Sequence, residues 1–110
     1  MTSALPKDTS IDTVALDKPI QIQATNVKNR LFKSAMSEQL GDRDNAPTSE
    51  LIRLYQTWAQ GGTGLLVTGN VMIDRTALGE PLNVVLDEQS DPALFKRWAE
   101  AGTANGTRLW

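Results

Sequence analysis

Two short segments carry small and hydrogen-bonding residues where parallel strands are expected to end. Ser34-Ala35-Met36-Ser37 follows an apolar strand pattern and precedes a long polar stretch, and Thr68-Gly69-Asn70 closes a second such pattern. Small side chains let a flat ligand approach the backbone, and the Ser37 hydroxyl can donate or accept a hydrogen bond. Because the carboxyl ends of parallel strands lie on one face of a sheet, the two segments predict a shared site for a flat ligand.

The composition excludes several other kinds of site. The 110 residues include no Cys and no His, which excludes disulfides, Cys/His zinc sites, cysteine nucleophiles and imidazole-based hydrolases. A formal net charge of −2 gives no broad basic field for nucleic acid or anionic lipid. The chain shows no signal peptide, and its apolar runs fall far short of the ~20 residues of a membrane helix. We therefore expect a cytoplasmic protein without nucleic-acid or membrane partners.

The strands that must position the two segments alternate with helices. A small hairpin is predicted from the alternating polarity over 19–23 and from a turn over 24–29 that leads into a second strand. Further strands are predicted over 30–36, over 64–69 and from 107 onward. This order predicts an α/β fold with a parallel sheet. A closed (β/α)8 TIM barrel needs about 250 residues, so the chain would supply about two and a half of its eight βα units.

Two amphipathic helices are predicted between these strands. The first begins at Pro47-Thr48-Ser49-Glu50 and ends at Gly61-Gly62, and the second runs from Ser90-Asp91-Pro92 to Asn105-Gly106. Apolar residues at helical spacing are expected to face the core, namely Leu51, Leu54, Tyr55, Trp58 and Ala59 in the first helix and Leu94, Phe95, Trp98 and Ala101 in the second.

Other motifs are better explained by structure than by ligand binding. The glycine run at 61–64 precedes a strand rather than a helix, so it is interpreted as a helix end and not as a phosphate loop. The acidic stretch at 42–45 lacks the spacing of a calcium loop and is interpreted as a solvated loop. Three further acids are interpreted as surface charge, namely Glu80, Asp87 and Glu88.

The combined pattern resembles the old yellow enzyme family, the NADH:flavin oxidoreductases. Residues 28–37, KNRLFKSAMS, resemble that family's first barrel strand. Pro47-Thr48, Leu54-Tyr55 and AQGGTGLLVTG at 59–69 resemble its first helix and second strand. The stretch GNVMID at 69–74 with LGE at 78–80 is similar to one bacterial or fungal-type branch. The resemblance covers roughly residues 19–110.

The resemblance implies an FMN-bearing barrel whose base is closed by a small hairpin. Such enzymes take hydride from NAD(P)H onto flavin and pass it to a small-molecule acceptor, often an activated alkene. Residues at five positions match the family's flavin-binding segments, namely Ser34, Ala35, Met36, Ser37 and Asn70. Ser37 takes the place of a Thr or Cys that tunes the flavin, Asn70 is larger than the usual Ala or Gly, and Gln39 falls where some relatives have a substrate-contacting Tyr. The resemblance assigns no catalytic residue and no metal ligand to this chain.

We therefore expect residues 1–18 to form a flexible N-terminal arm and 19–110 to form a partial FMN-binding barrel domain, truncated at its third strand. The family's FMN-binding glutamine would fall after Trp110, and its substrate-holding histidine pair is absent. The segment alone is expected to be inactive, because a few barrel strands leave unpaired edges and uncovered apolar faces.

Two other hypotheses remain open at this point. In the first, the segment is a non-catalytic binding or assembly module that pairs its open strand at 107–110 with a second copy or a complementing fragment. In the second, the chain is a small flavodoxin-like protein. That fold requires a phosphate-binding loop after the first strand, which the stretch at 37–43 matches poorly.

Overall fold

The computed structural model describes residues 15–110. Most of the predicted arm, residues 1–14, lies outside the described residues. In the described part of the predicted arm, the Leu16 carbonyl accepts a hydrogen bond from the Arg30 amide at 3.0 Å. In chain order the elements are β1 (Ile20–Ile22), β2 (Thr25–Val27), β3 (Phe32–Lys33), α1 (Ser49–Gln60), β4 (Leu65–Leu66), β5 (Val71–Met72), β6 (Val84–Val85), α2 (Pro92–Gly102), a 3-10 turn (Ala104–Gly106) and β7 (Arg108–Leu109). No helix within residues 15–110 is long and apolar enough to cross a membrane.

The predicted hairpin is present, but its turn is shorter than expected. β1 and β2 pair antiparallel, with Ile22 opposite Thr25. Only Gln23 and Ala24 connect them, so the second strand lies within the stretch that was predicted as the turn. Gln23 adopts a left-handed φ of 52°. Two-residue hairpin turns need such a conformation and usually supply it with Gly or Asn. Neither residue type stands here, which is why the sequence placed the turn wrongly.

The central sheet is parallel, with strand order β3-β4-β7. Phe32, Leu65 and Arg108 are in register, as are Lys33, Leu66 and Leu109. Because side chains alternate across a strand, these two rows define opposite faces of the sheet. We call the first row the inner face and the second row the helix-facing side. The strands are shorter than predicted, although backbone hydrogen bonds between β4 and β7 extend to Thr68.

The helices bury the helix-facing side of the sheet. Leu66 and Tyr55 have no exposed surface and belong to one apolar cluster with Trp98. The Tyr55 and Trp98 rings meet edge to face, with centroids 5.3 Å apart. Most of the two predicted apolar stripes thus forms the core, with Leu51 and Ala59 also buried and Phe95 and Trp58 packed against them. Leu54 and Leu94 were predicted to face the core but are only partly buried and lie outside this cluster.

Both helices begin at the predicted caps. The Thr48 hydroxyl accepts a hydrogen bond from the Leu51 amide at 3.1 Å, and the Asp91 carboxylate accepts one from the Ala93 amide at 2.9 Å. These contacts satisfy backbone donors that lack a partner within the helix. After α1, Gly62 adopts the expected left-handed conformation with φ of 104°.

The second helix ends earlier than predicted. It stops at Gly102 and is followed by the 3-10 turn that contains Asn105 and Gly106, both with positive φ. A Cβ on Gly102 would lie 2.8 Å from Leu109 Cδ2, so the helix end packs directly on β7. The Asn-Gly pair therefore ends the connection to β7 rather than the helix itself.

A second parallel pair follows β4. β5 and β6 align Val71 with Val84 and Met72 with Val85. The sequence did not predict this pairing, because nothing local in it indicates which strand β6 will contact. The loop between the two strands contains Glu80, which this arrangement brings near the end of β4.

Candidate cofactor and substrate site

The two segments that were predicted to form a site are in contact. A Cβ placed on Gly69 would lie only 2.1 Å from the Met36 carbonyl oxygen, so a side chain at 69 is sterically excluded. The Gly69 amide donates a hydrogen bond to the Tyr55 hydroxyl oxygen at 3.3 Å. The C-terminal ends of β3 and β4 therefore converge. We call the region formed by residues 34–37, Gln39 and Asn70 the strand-end site.

One wall of this region is a half-exposed apolar surface. Phe32 is 46% exposed, Met36 50% and Trp110 53%. Alternation along an extended chain places Ser34 on the inner face with Phe32, and Trp110 on that face with Arg108. The hairpin contacts the lower part of the face, where Arg108 Nε donates to the Asn26 carbonyl at 2.9 Å. The upper part, beside the exposed Ser34 and Ala35, has no cover among the described residues.

Ser37 is held from the buried side of the site. Its hydroxyl oxygen accepts a hydrogen bond from Asn83 Nδ2 at 3.4 Å, which leaves the hydroxyl proton available to a ligand. Asn83 is only 2% exposed, and its side-chain oxygen accepts from the Glu80 amide at 2.7 Å. Its own carbonyl accepts from Asn45 Nδ2 at 2.9 Å. A buried amide therefore connects the loop after β3 with the loop before β6.

Glu80 connects the two amide side chains of the strand-end site. Its carboxylate oxygens accept hydrogen bonds from Gln39 Nε2 at 3.0 Å and from Asn70 Nδ2 at 3.5 Å. Glu80 is therefore a better partnered residue than its interpretation as surface charge implied. The sequence signal that could have found it was its place in the LGE stretch of the family resemblance.

Tyr55 contributes both to the core and to the strand-end site. Its hydroxyl donates to Glu38 Oε2 at 2.5 Å while accepting from the Gly69 amide. Burial raises the pKa of Tyr55, and the Glu38 carboxylate that accepts its proton raises the pKa further. On the same side of the sheet, the Lys33 ammonium lies 4.9 Å from the Trp58 ring centroid. Burial lowers the pKa of Lys33, and the nearby Glu38 charge opposes that shift.

The other motifs have structural roles. Gly64 lies against Asn29, with a hypothetical Cβ 2.4 Å from Asn29 Oδ1, in agreement with strand entry rather than phosphate binding. The Asp42 carboxylate accepts from the Asp44 and Ala46 amides and so caps its own turn. Within residues 15–110 no cluster of His, Cys, Asp or Glu could hold a metal ion.

Asp87 is also better partnered than its interpretation as surface charge implied. It pairs with Arg75 at 2.9 Å, and the hydrogen bond from Arg75 lowers the pKa of Asp87.

Comparison with solved structures defines the class of fold. The old yellow enzyme homologue from Zymomonas mobilis superposes on 87% of this chain with a TM-score of 0.76 at 21% identity, and the match spans 26% of that enzyme. A 2-naphthoyl-CoA reductase superposes on 86% of the chain with a TM-score of 0.78 at 28% identity, spanning 14% of its own length. The chain is thus a segment of a (β/α)8 barrel.

Sequence comparison with curated proteins identifies the kind of barrel. The NADH-dependent flavin oxidoreductase iliE of Hypocrea jecorina is 35% identical over 83 residues, covering 72% of this chain and 21% of the relative. The NADH-dependent flavin oxidoreductase nadA of Aspergillus parasiticus is 35% identical over 116 aligned positions, covering 91% of this chain and 26% of the relative. No family model matches the chain. The resemblance to the old yellow enzyme family is confirmed, for about a fifth to a quarter of these relatives' length.

Proposed function

We propose that residues 19–110 form part of the flavin-binding wall of an FMN-dependent oxidoreductase. The reaction would pass hydride from NAD(P)H through the flavin to a small-molecule acceptor such as an activated alkene. The observation that carries this proposal is the contact between Gly69 and Met36, which brings two strand ends with small, polar residues together beside an uncovered apolar surface. Its further support is the similarity to enzymes named NADH-dependent flavin oxidoreductases.

The residues present suit a flat ring with polar edges. Ser34, Ala35 and Met36 are exposed and would lie along the ring, because the first two are too small to keep it from the backbone. Ser37 would offer its hydroxyl proton to the polar edge, and Asn70 would face that edge from β4. Bound FMN supplies the capacity to accept and release a hydride. Gln39 would contact the substrate beside it.

The 110-residue chain alone is proposed to be inactive. Among the described residues, β3 and β7 each pair with a strand on one side only, so the wall of barrel strands is incomplete at both edges. The test is to saturate the purified chain with FMN, desalt it, and measure flavin absorbance and NADH oxidation. We expect neither retained flavin nor turnover. Stoichiometric FMN together with NADH turnover would contradict this part of the proposal.

The role of the segment as a flavin wall needs a complete barrel. Residues 19–110 would replace the matched segment of the Zymomonas mobilis old yellow enzyme homologue, whose barrel they superpose on. We expect the chimera to retain FMN and Ser37→Ala to shift its flavin midpoint potential. The control Ser49→Ala changes an exposed serine at the start of α1 and should leave that potential unchanged. A folded chimera that binds no flavin would refute the proposed function.

A second candidate function is assembly. The half-exposed Phe32 lies on β3 and the half-exposed Trp110 directly follows β7; each of these strands has an open edge among the described residues, and such edges pair readily with another chain. The module would bind a second copy of itself or a complementing fragment without performing catalysis. Size-exclusion chromatography with light scattering tests it, and a well-folded monomer at micromolar concentration would count against it.

Cytoplasmic localisation remains a prediction that fractionation of cells can test.

A further inference from the structure

Glu80 makes the structural link between the two amide side chains of the strand-end site. Three separate loops meet there, because Gln39 follows β3, Asn70 follows β4 and Glu80 lies between β5 and β6. Gln39 adopts a positive φ of 54°, a conformation that non-glycine residues rarely take. Strained backbone of this kind is retained where surrounding contacts impose it, often at functional sites. The contact with the Glu80 carboxylate is such a constraint.

The chemistry of a carboxylate fixes the orientation of both amides. An ionised carboxylate only accepts hydrogen bonds, so it selects the NH2 groups of Gln39 and Asn70 and turns their carbonyl oxygens away. Both side chains are exposed, so those oxygens are accessible to a ligand. Without Glu80, each amide could rotate and present either a donor or an acceptor.

Glu80 is itself held in place before any ligand arrives. Its backbone amide donates to Asn83 Oδ1 at 2.7 Å, and Asn83 is buried. A crevice of about 10 Å³ lies between these loops, bounded by Ser37, Gln39, Asn70 and Asn83 among others. That volume admits a group about the size of one water molecule. The apolar side chains of Leu40, Leu51, Leu82 and Val84 line the same crevice, so it would admit only one small group of a larger ligand, whose ring would remain outside it.

We infer that Glu80 is a specificity-determining residue that makes the strand-end site present the carbonyl oxygens of Gln39 and Asn70 to a ligand group that donates an N–H or O–H hydrogen bond. This inference rests on the proposed function, because it names the class of ligand that the proposed site accepts. Amides, imides and hydroxylated compounds belong to that class. Compounds whose only polar groups are acceptors could not form this hydrogen bond, so we expect them to bind less tightly.

The test compares two probes that differ by one donor. Succinimide carries an imide N–H, whereas N-methylsuccinimide has the same ring and carbonyl groups without it. Each is titrated into the ¹⁵N-labelled 110-residue chain, and the side-chain amide signals of Gln39 and Asn70 are followed by NMR. We expect succinimide to bind roughly three- to tenfold more tightly, the difference that one hydrogen bond produces.

Two variants assign that preference to Glu80. Glu80→Gln keeps the side-chain length but can itself donate, so the preference for succinimide should fall toward one. Glu88→Gln removes the same charge from an exposed loop position and should keep the wild-type preference. Should Glu80→Gln fail to fold, as judged by signal dispersion, Asn70→Leu removes one of the two acceptors and should reduce the preference instead.

Equal binding of the two probes to the wild-type chain would overturn the inference. So would an unchanged preference for succinimide in the folded Glu80→Gln or Asn70→Leu variant. A loss of that preference in Glu88→Gln equal to the loss in Glu80→Gln would also overturn it. The flavin-binding chimera gives the independent measurement. If the chimera binds no flavin but the 110-residue chain shows a preference that depends on Glu80, the proposed function is refuted and the donor-selective site is supported. If the chimera binds flavin but the 110-residue chain shows no such preference, the inference alone is refuted.

Discussion

The two faces of the central sheet differ in how completely they are covered. On the helix-facing side, Leu66 has no exposed surface and Leu109 packs against the core cluster. On the inner face of the same strands, Leu65 of the central strand is buried, but Phe32 on β3 is 46% exposed, and Trp110, just beyond the end of β7, is 53% exposed. The two faces therefore differ at the edges of the sheet, where the inner face is half exposed and the helix-facing side is packed.

The difference follows from where the covering residues lie in the sequence. α1 follows β3 and α2 precedes β7, so the partners of the helix-facing side come from the same βα units. The inner face of a barrel is covered by other strands across the ring. At its lower end the face contacts an element nearby in the fold, the hairpin, through the hydrogen bond from Arg108 to Asn26. A barrel segment can thus complete its helix-side core while its ligand side stays open.

The largest expected effect separates the two faces directly. Leu66→Ala should lower the free energy of unfolding by about 3 kcal/mol, because it opens a cavity in a fully buried cluster. Phe32→Ala should cost less than about 1 kcal/mol, because nearly half of that side chain already contacts solvent. Urea denaturation followed by tryptophan fluorescence measures both. Equal losses would mean that the inner face is packed as well as the helix-facing side.

The next effect concerns the point where the strand ends meet. Gly69→Ala places a methyl group against the Met36 carbonyl and should cost about 2 kcal/mol, since the backbone must move to admit it. Gly79→Ala is the matched control, because its nearest neighbour would be Asn83 Oδ1 at an ordinary 3.4 Å. That change should be close to neutral in the same denaturation experiment. A tolerated Gly69→Ala would contradict the tight convergence of β3 and β4.

A smaller effect should appear only at alkaline pH. Burial raises the pKa of Tyr55, so in the folded chain the phenol stays neutral where it ionises in the unfolded chain, near pH 10. The unfolded state then binds fewer protons, and stability should decline as the pH rises above about 10. Tyr55 is the single tyrosine of the sequence, so ultraviolet absorbance follows its ionisation without overlap from another phenol.

Tyr55→Phe removes this titration and serves as the control, because its stability should lose the decline that begins near pH 10. Ionisation of Tyr55 at about pH 10 in the folded chain would show that its hydroxyl is exposed, which would contradict the contact with Glu38.

The sequence predicted what depends on local patterns. Helix starts at Thr48 and Asp91 and the buried stripe of α1 followed from capping residues and apolar spacing. Glu80 was missed because its partners, Gln39 and Asn70, lie 41 and 10 residues away and are reached only through the pairing of β5 with β6. Hydrogen bonds between loops depend on tertiary geometry, for which hydrophobic periodicity carries no signal.

The smallest expected effect shows that the two regions are connected. The Thr48 hydroxyl accepts from the Leu51 amide at the start of α1 and donates to the Leu40 carbonyl at 2.6 Å, next to Gln39 in the loop after β3. Thr48→Ala should cost about 1 kcal/mol, the usual value of such a cap, whereas Thr48→Ser keeps both bonds and should cost little. Hydrogen exchange supplies the sharper comparison. Faster exchange of the Gly41 amide in Thr48→Ala, but not in Thr48→Ser, would show that the helix cap holds the site loop. Unchanged exchange would mean that the helix cap does not hold the loop after β3, and that Glu80 and Asn83 hold this loop instead.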